Sequence, residues 1–117
     1  MLAKALHDDP LARSKIMNAT IIEFGAAAGL PSLTACSLGA ANVCATDYPS
    51  ISVIANLKKN VARYAQHDNK YAHDNSDKLH NGIAVIPYKW GEDFHPLLSV
   101  NKHEKYDVVL SAEVCIV

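Results

Sequence analysis

No apolar run in this sequence of 117 residues approaches the roughly 18 to 20 residues of a membrane-spanning helix, and the amino terminus lacks the apolar core of a signal peptide. A cytoplasmic protein with no membrane partner is the expectation. An excess of one charge is also missing: 11 Lys and Arg stand against 12 Asp and Glu, and the basic residues are scattered rather than striped. The net charge of −1 gives no electrostatic case for a nucleic-acid partner. Cysteine is scarce. Cys36, Cys44 and Cys115 form no C-x-x-C spacing, and two of them fall in predicted buried elements, which points to reduced, packed thiols. His67, His73 and His80 alternate with Asp68, Asp74 and Asp77, but a stretch with so little apolar content supplies no fixed tetrahedral geometry. No metal is expected. What the chain does have is 50% hydrophobic residues, enough for one globular domain over residues 1–117.

That domain is organised around residues 20 to 32. A short apolar run with β-branched Ile21 and Ile22 ends in Glu23-Phe24-Gly25, turns through Ala26, Ala27 and Ala28 to Gly29, and opens a helix with Pro31 in its first turn. It reads as strand, tight loop, helix. In an open α/β sheet such a loop lies at the carboxyl end of a strand, where nucleotide-type ligands bind. The absence of side chains at Gly25 and Gly29, with only methyls between, lets a ligand approach the backbone. Asp47 closes a second apolar run, Val43-Cys44-Ala45-Thr46, where a carboxylate accepts hydrogen bonds from ribose hydroxyls.

Around this pair, residues 1–7 are helix-prone, and Asp8-Asp9-Pro10 interrupts them before a short polar segment reaching Asn18. The strand at 20–24 leads to a helix over 31–38 with Leu30, Leu33 and Leu38 as its apolar stripe and Gly39 as its cap. The strand at 43–47 leads through Pro49 and a Ser50 N-cap to an amphipathic helix over 51–65, with Ile54, Leu57, Val61 and Tyr64 inward and Asn56 and Asn60 as surface or capping residues. Residues 66–82 form a polar surface insertion. Strands follow at 83–86 and 106–110, separated by a loop or short helix. The alternation predicts a parallel sheet with right-handed crossovers, a partial Rossmann-like α/β fold of four strands. Gly25, Asp47, Trp90 and Ala112 should then converge on one edge.

Two cofactor classes share this layout. A dinucleotide fingerprint, G-x-G-x-x-G counted from Gly25, needs glycines where the chain has Ala27 and Leu30, which counts against NAD. An acidic residue two before the first glycine, followed by G-x-x-x-G, is instead the S-adenosylmethionine pattern, here Glu23 through Gly29. That ligand has no pyrophosphate to cradle, so the third glycine is dispensable. Asp47, eighteen residues after Gly29, and Trp90-Gly91 after the third strand reinforce the pattern.

Four stretches together, Glu23 to Ser32, Thr46-Asp47-Tyr48-Pro49, Tyr88-Lys89-Trp90-Gly91 and Tyr106 to Val114, resemble the seven-strand lysine methyltransferases, also described as nicotinamide N-methyltransferase-like. They are most similar to the fungal subgroup acting on the N-terminal region of elongation factor 1-alpha. The resemblance implies S-adenosyl-L-methionine as cofactor and a protein substrate, with methyl transfer to a lysine or N-terminal amine. It implies Gly25, Ala26 and Ala27 at the methionine part, Glu23 organising the loop near the ammonium, Asp47 at the ribose, Trp90 near the adenine and the Ala112 backbone beside the sulfonium. Glu113, where the family has Asp, becomes the catalytic candidate near the acceptor amine. The family carries a Trp and a helix upstream of the first strand and three further strands after the fourth, so the resemblance implies an incomplete domain. A cofactor-binding remnant without turnover and a small-molecule N-methyltransferase are the alternatives.

Overall fold

The computed structural model describes residues 2–67, 82–102 and 105–111. In chain order its elements are α1 (Leu2–Asp8), α2 (Pro10–Ile16), β1 (Thr20–Glu23), α3 (Leu30–Ser37), β2 (Asn42–Asp47), α4 (Ile51–His67), β3 (Ile83–Pro87), α5 (His95–Val100) and β4 (Val108–Leu110). The strands form one sheet of order β3-β2-β1-β4, and every pairing is parallel. The expected Rossmann-like α/β architecture is therefore present. Of the expected insertion, residues 66 and 67 end α4, Gly82 precedes β3, and 68–81 lie outside the described residues.

Alternation along the strands sorts the core onto two faces. Ile21, Val43, Ala45 and Ile83 join Leu57 and Val61 of α4, Ala35 of α3, and Leu6 and Ile16 of the first two helices. Ile22 and Cys44 face the other way and pack with Leu97 of α5, Phe24, Ile86, Tyr88 and Tyr106. Helices on both faces explain why the strands read as apolar runs rather than as alternating ones. Strand order reverses direction between β1 and β4, and the crevice outside the strand ends at such a point is where ligands bind in open α/β sheets.

The sequence reading needs correction at the amino terminus and in α3. The polar segment after Pro10 is a second helix: Asp9 is its N-cap, its carboxylate accepting the Leu11 N–H at 3.0 Å, and Pro10 starts its first turn. Asp-Pro thus begins a helix here as well as ending one. In α3, Leu33 and Leu38 pack partly against the core, but Leu30 is half exposed and the buried positions are Ser32 and Ala35. Small residues bring this helix close to the sheet. Gly39, at φ 95°, ends α3 as expected: its N–H donates to Cys36 C=O and the Ala40 N–H to Ala35 C=O, the paired bonds of a Schellman motif. Ser50 C=O accepts the Ile54 N–H at 3.0 Å, placing it at the start of α4.

Candidate functional site

Parallel pairing puts the carboxyl ends of β1 and β2 side by side, with Glu23 level with Ala45. Beyond β1 the chain briefly continues the sheet in both directions, the Phe24 N–H donating to Leu110 C=O at 3.0 Å and the Ala26 N–H to Thr46 C=O at 2.9 Å. It then turns sharply. Gly25, Ala27 and Gly29 all have left-handed φ, of 67°, 50° and 83°. For Ala27, which has a Cβ, that conformation costs about 1 kcal/mol and persists only where the surroundings over-determine it.

Asp47 is the main part of those surroundings. Its Oδ2 accepts the Ala27 N–H at 2.7 Å, and its Oδ1 accepts the Tyr48 N–H at 2.7 Å. A carboxylate oxygen has two acceptor lone pairs, so half-buried Asp47 retains acceptor capacity for hydroxyl donors. The Gly29 N–H closes the turn on Ala26 C=O at 2.7 Å. Ala27 and Ala28 face solvent with only methyl groups.

Glu23 is 1% exposed, and its Oε1 accepts both the Ser32 N–H at 3.2 Å and the Ser32 hydroxyl at 2.6 Å. The carboxyl group thereby satisfies a free N–H of the first turn of α3. Thr46 adds a hydroxyl bond to Glu23 C=O at 2.7 Å. Gly29 has a reason that the sequence reading did not give it: a Cβ there would lie 2.6 Å from Leu57 Cδ1. Its missing side chain makes room for α4 as well as permitting the turn.

Trp90, after β3, is 56% exposed and meets the Phe24 ring edge-on at 6.4 Å, while Phe24 contacts Tyr88 at 6.1 Å. This aromatic group adjoins the glycine loop, so Gly25, Asp47 and Trp90 share one edge through Phe24 and Ala27. Ala112 and Glu113 lie outside the described residues. The last described residue, Ser111, has a buried hydroxyl without a hydrogen-bond partner among the described residues, and it directly follows Leu110, to which Phe24 is bonded.

The perturbed ionisable groups lie apart from the loop. Burial pushes the Cys44 thiol up to about 11 and raises the Tyr106 phenol, whose hydroxyl donates to Leu97 C=O at 2.6 Å. Hydrogen bonding with His95, at 2.5 Å to Nδ1, lowers the Asp93 carboxyl. Among the described residues no three His, Cys, Asp or Glu side chains form a metal-binding group. Nor is any helix there long and apolar enough to cross a membrane.

Ser32 and Asn60 join the loop region through contacts that the sequence does not reveal. Asn60 donates through Nδ2 to Ala28 C=O at 2.9 Å. Its one signal was an Asn in a helix interior, where propensity disfavours it.

A sheet of this order, with a small-residue loop after β1 tied to an acidic residue closing β2, defines a Rossmann-like α/β domain. The chain belongs to the lysine methyltransferase family, whose profile matches residues 1–116. It is 32% identical over 107 residues to the protein N-terminal and lysine N-methyltransferase EFM7 of Gibberella zeae, covering 86% of this chain and 38% of that one. To the protein of the same name from Yarrowia lipolytica it is 35% identical over 98 residues, covering 80% and 36%. The chain thus spans little more than a third of the length of these relatives. In fold it is similar to the crystal structure of Thermoplasma acidophilum 1320, with a TM-score of 0.53 and 18% identity over 78% of this chain and 39% of that one.

Proposed function

We propose that the loop at 25–29 and Asp47 hold S-adenosyl-L-methionine, and that the protein methylates a protein amine, either a lysine side chain or an N-terminal amine. The observation that carries this reading is the 2.7 Å bond between Asp47 Oδ2 and the Ala27 N–H, which joins an acceptor for ribose hydroxyls to a loop open enough for the methionine part. When bound, the cofactor supplies an electrophilic methyl on a sulfonium. Gly25, Ala26, Ala27 and Gly29 shape the backbone surface for the methionine moiety, Glu23 holds that surface through Ser32, Trp90 serves the adenine and the Ala112 backbone the sulfonium side. A lysine amine, with an ordinary pKa of about 10.4, must lose its proton before it can attack, and Glu113 is the carboxylate we assign to that amine. The rest of the catalysis is positioning.

Elongation factor 1-alpha is the substrate we propose, on the likeness of Gly29-Leu30-Pro31-Ser32 and Thr46-Asp47-Tyr48-Pro49 to its methyltransferases, and the cytoplasm is the location. Calorimetric titration with S-adenosylhomocysteine tests the cofactor half. Saturable binding that Asp47→Ala weakens at least about tenfold is expected, as for loss of charge-assisted hydrogen bonds. A folded chain that does not bind overturns the reading. Transfer of labelled methyl to elongation factor 1-alpha tests the substrate half, and labelling of nicotinamide-like amines instead would contradict it. The alternative of cofactor binding without turnover is separated by the same two assays. Cofactor binding with no labelling of either acceptor class is its signature.

A further inference from the structure

Two residues of α4 reach the same loop. Leu57 and Asn60, three positions apart and so on one helix face, meet it at Gly29 and at Ala28. Leu57 Cδ1 would lie 2.6 Å from a Cβ at Gly29, so the Leu57 side chain fills the space that a side chain at 29 would need. Asn60 Nδ2 then spans the remaining gap to Ala28 C=O at 2.9 Å. A carbonyl can only accept, so the amide must present its NH2 group there.

The bond falls at the strained part of the turn. Ala28 sits between Ala27 at φ 50° and Gly29 at φ 83°, and its residue is solvent-exposed, so water could satisfy this carbonyl in other loop conformations. Asp47 accepts the Ala27 N–H from the β2 side, and Asn60 donates to the Ala28 carbonyl from the α4 side. The two grips hold opposite polar groups of successive residues, which selects one orientation of the backbone between them. Asn60 itself is half-buried, whereas Asn56, one turn earlier, is exposed.

We propose that Asn60 is a positioning residue that fixes the left-handed turn of residues 27–29 in its ligand-accepting form. The link to cofactor affinity rests on the function proposed above; the link to loop conformation does not. The test compares the full chain with Asn60→Ala, Asn60→Asp and the control Asn56→Ala. Its readouts are amide hydrogen exchange of the free protein and calorimetric titration with S-adenosylhomocysteine. Asn60→Asp preserves size and shape but replaces the donor with an acceptor facing a carbonyl, so a space-filling role would tolerate it.

Both Asn60 variants are expected to speed exchange at the Ala27 and Gly29 amides about tenfold, leave β1 and β2 protected, and weaken binding about fivefold to tenfold, as for one lost hydrogen bond. Asn56→Ala should match wild type. If Asn60→Ala proves unfolded, Asn60→Asp carries the test. Wild-type exchange in a folded Asn60→Asp variant overturns the proposal. Wild-type affinity in a variant with faster exchange removes its functional part. A wild-type chain that binds no S-adenosylhomocysteine sinks the cofactor reading, and exchange alone then decides whether Asn60 fixes the turn.

Discussion

Each edge of the sheet has an aspartate that accepts backbone N–H bonds from another element, and the two differ in what those bonds enclose. At the amino edge, Asp107 Oδ2 accepts the Thr20 N–H at 2.9 Å and the Thr20 hydroxyl at 3.2 Å, while the Asp107 N–H donates to Thr20 C=O at 2.8 Å. The exchange is reciprocal and fastens β4 to β1. At the carboxyl edge, Asp47 fastens a loop whose three left-handed residues and bare methyls leave backbone accessible. The same chemistry closes one edge and holds the other open. A carboxylate at a strand end is therefore informative only together with what it holds.

The largest expected effect breaks the carboxyl edge from within. Gly29→Ala adds a Cβ both in a left-handed conformation and 2.6 Å from Leu57 Cδ1, and should destabilise the chain by about 3 kcal/mol in urea unfolding. Gly91→Ala, also at left-handed φ but with nothing within 4 Å, should lose only about 1 kcal/mol. Equal losses would remove Leu57 from the explanation.

The sheet between the edges is probed by alkali. The Cys44 thiol is pushed up to about 11 from an ordinary value near 9, so the unfolded chain gives up this proton first. Stability is then fully present below pH 9 and falls as pH rises toward 11, by on the order of 2 kcal/mol, with the raised Tyr106 phenol acting in the same direction. Cys44→Ala should flatten that fall in denaturant titrations at successive pH values; an unchanged slope would contradict the assignment.

Exchanging the aspartates sharpens the comparison further. Asp107→Ala should lower stability by about 1 kcal/mol and leave S-adenosylhomocysteine affinity as it is, whereas Asp47→Ala should act mainly on affinity. Equal affinity losses would abolish the distinction between the edges. The smallest effect belongs to Trp90, the sole tryptophan, which is 56% exposed. Trp90→Ala should change unfolding stability by less than about 1 kcal/mol, while in wild type the cofactor analogue should shift Trp90 fluorescence.

Much of the fold was legible because its signals are local. β-Branched apolar runs gave the strands, the spacing of Ile54, Leu57 and Val61 gave α4, and Gly39 gave the end of α3. The helix after Pro10 is hard to see in the sequence because Asp8-Asp9-Pro10 reads as a break, although its capping chemistry also starts a helix. Leu30 misled because the core face of α3 is built from small residues, which carry little hydrophobic signal. At the candidate site, the placing of Asp47 beside the glycine loop was legible from spacing. Asn60 with Ala28, and Thr20 with Asp107, were not, since contacts across 32 and 87 residues leave no local pattern. Gly29 reads from sequence as room for a ligand, whereas its left-handed φ and its contact with Leu57 appear only in the structure.

Amide hydrogen exchange with and without S-adenosylhomocysteine distinguishes a cofactor site at the carboxyl edge from a structural seam at the amino edge. Protection concentrated in residues 25–29 and 47–51, with the amides of Thr20 and Asp107 unchanged, is the result predicted. Protection centred on the Thr20 and Asp107 seam, or none anywhere in a folded chain, would contradict it.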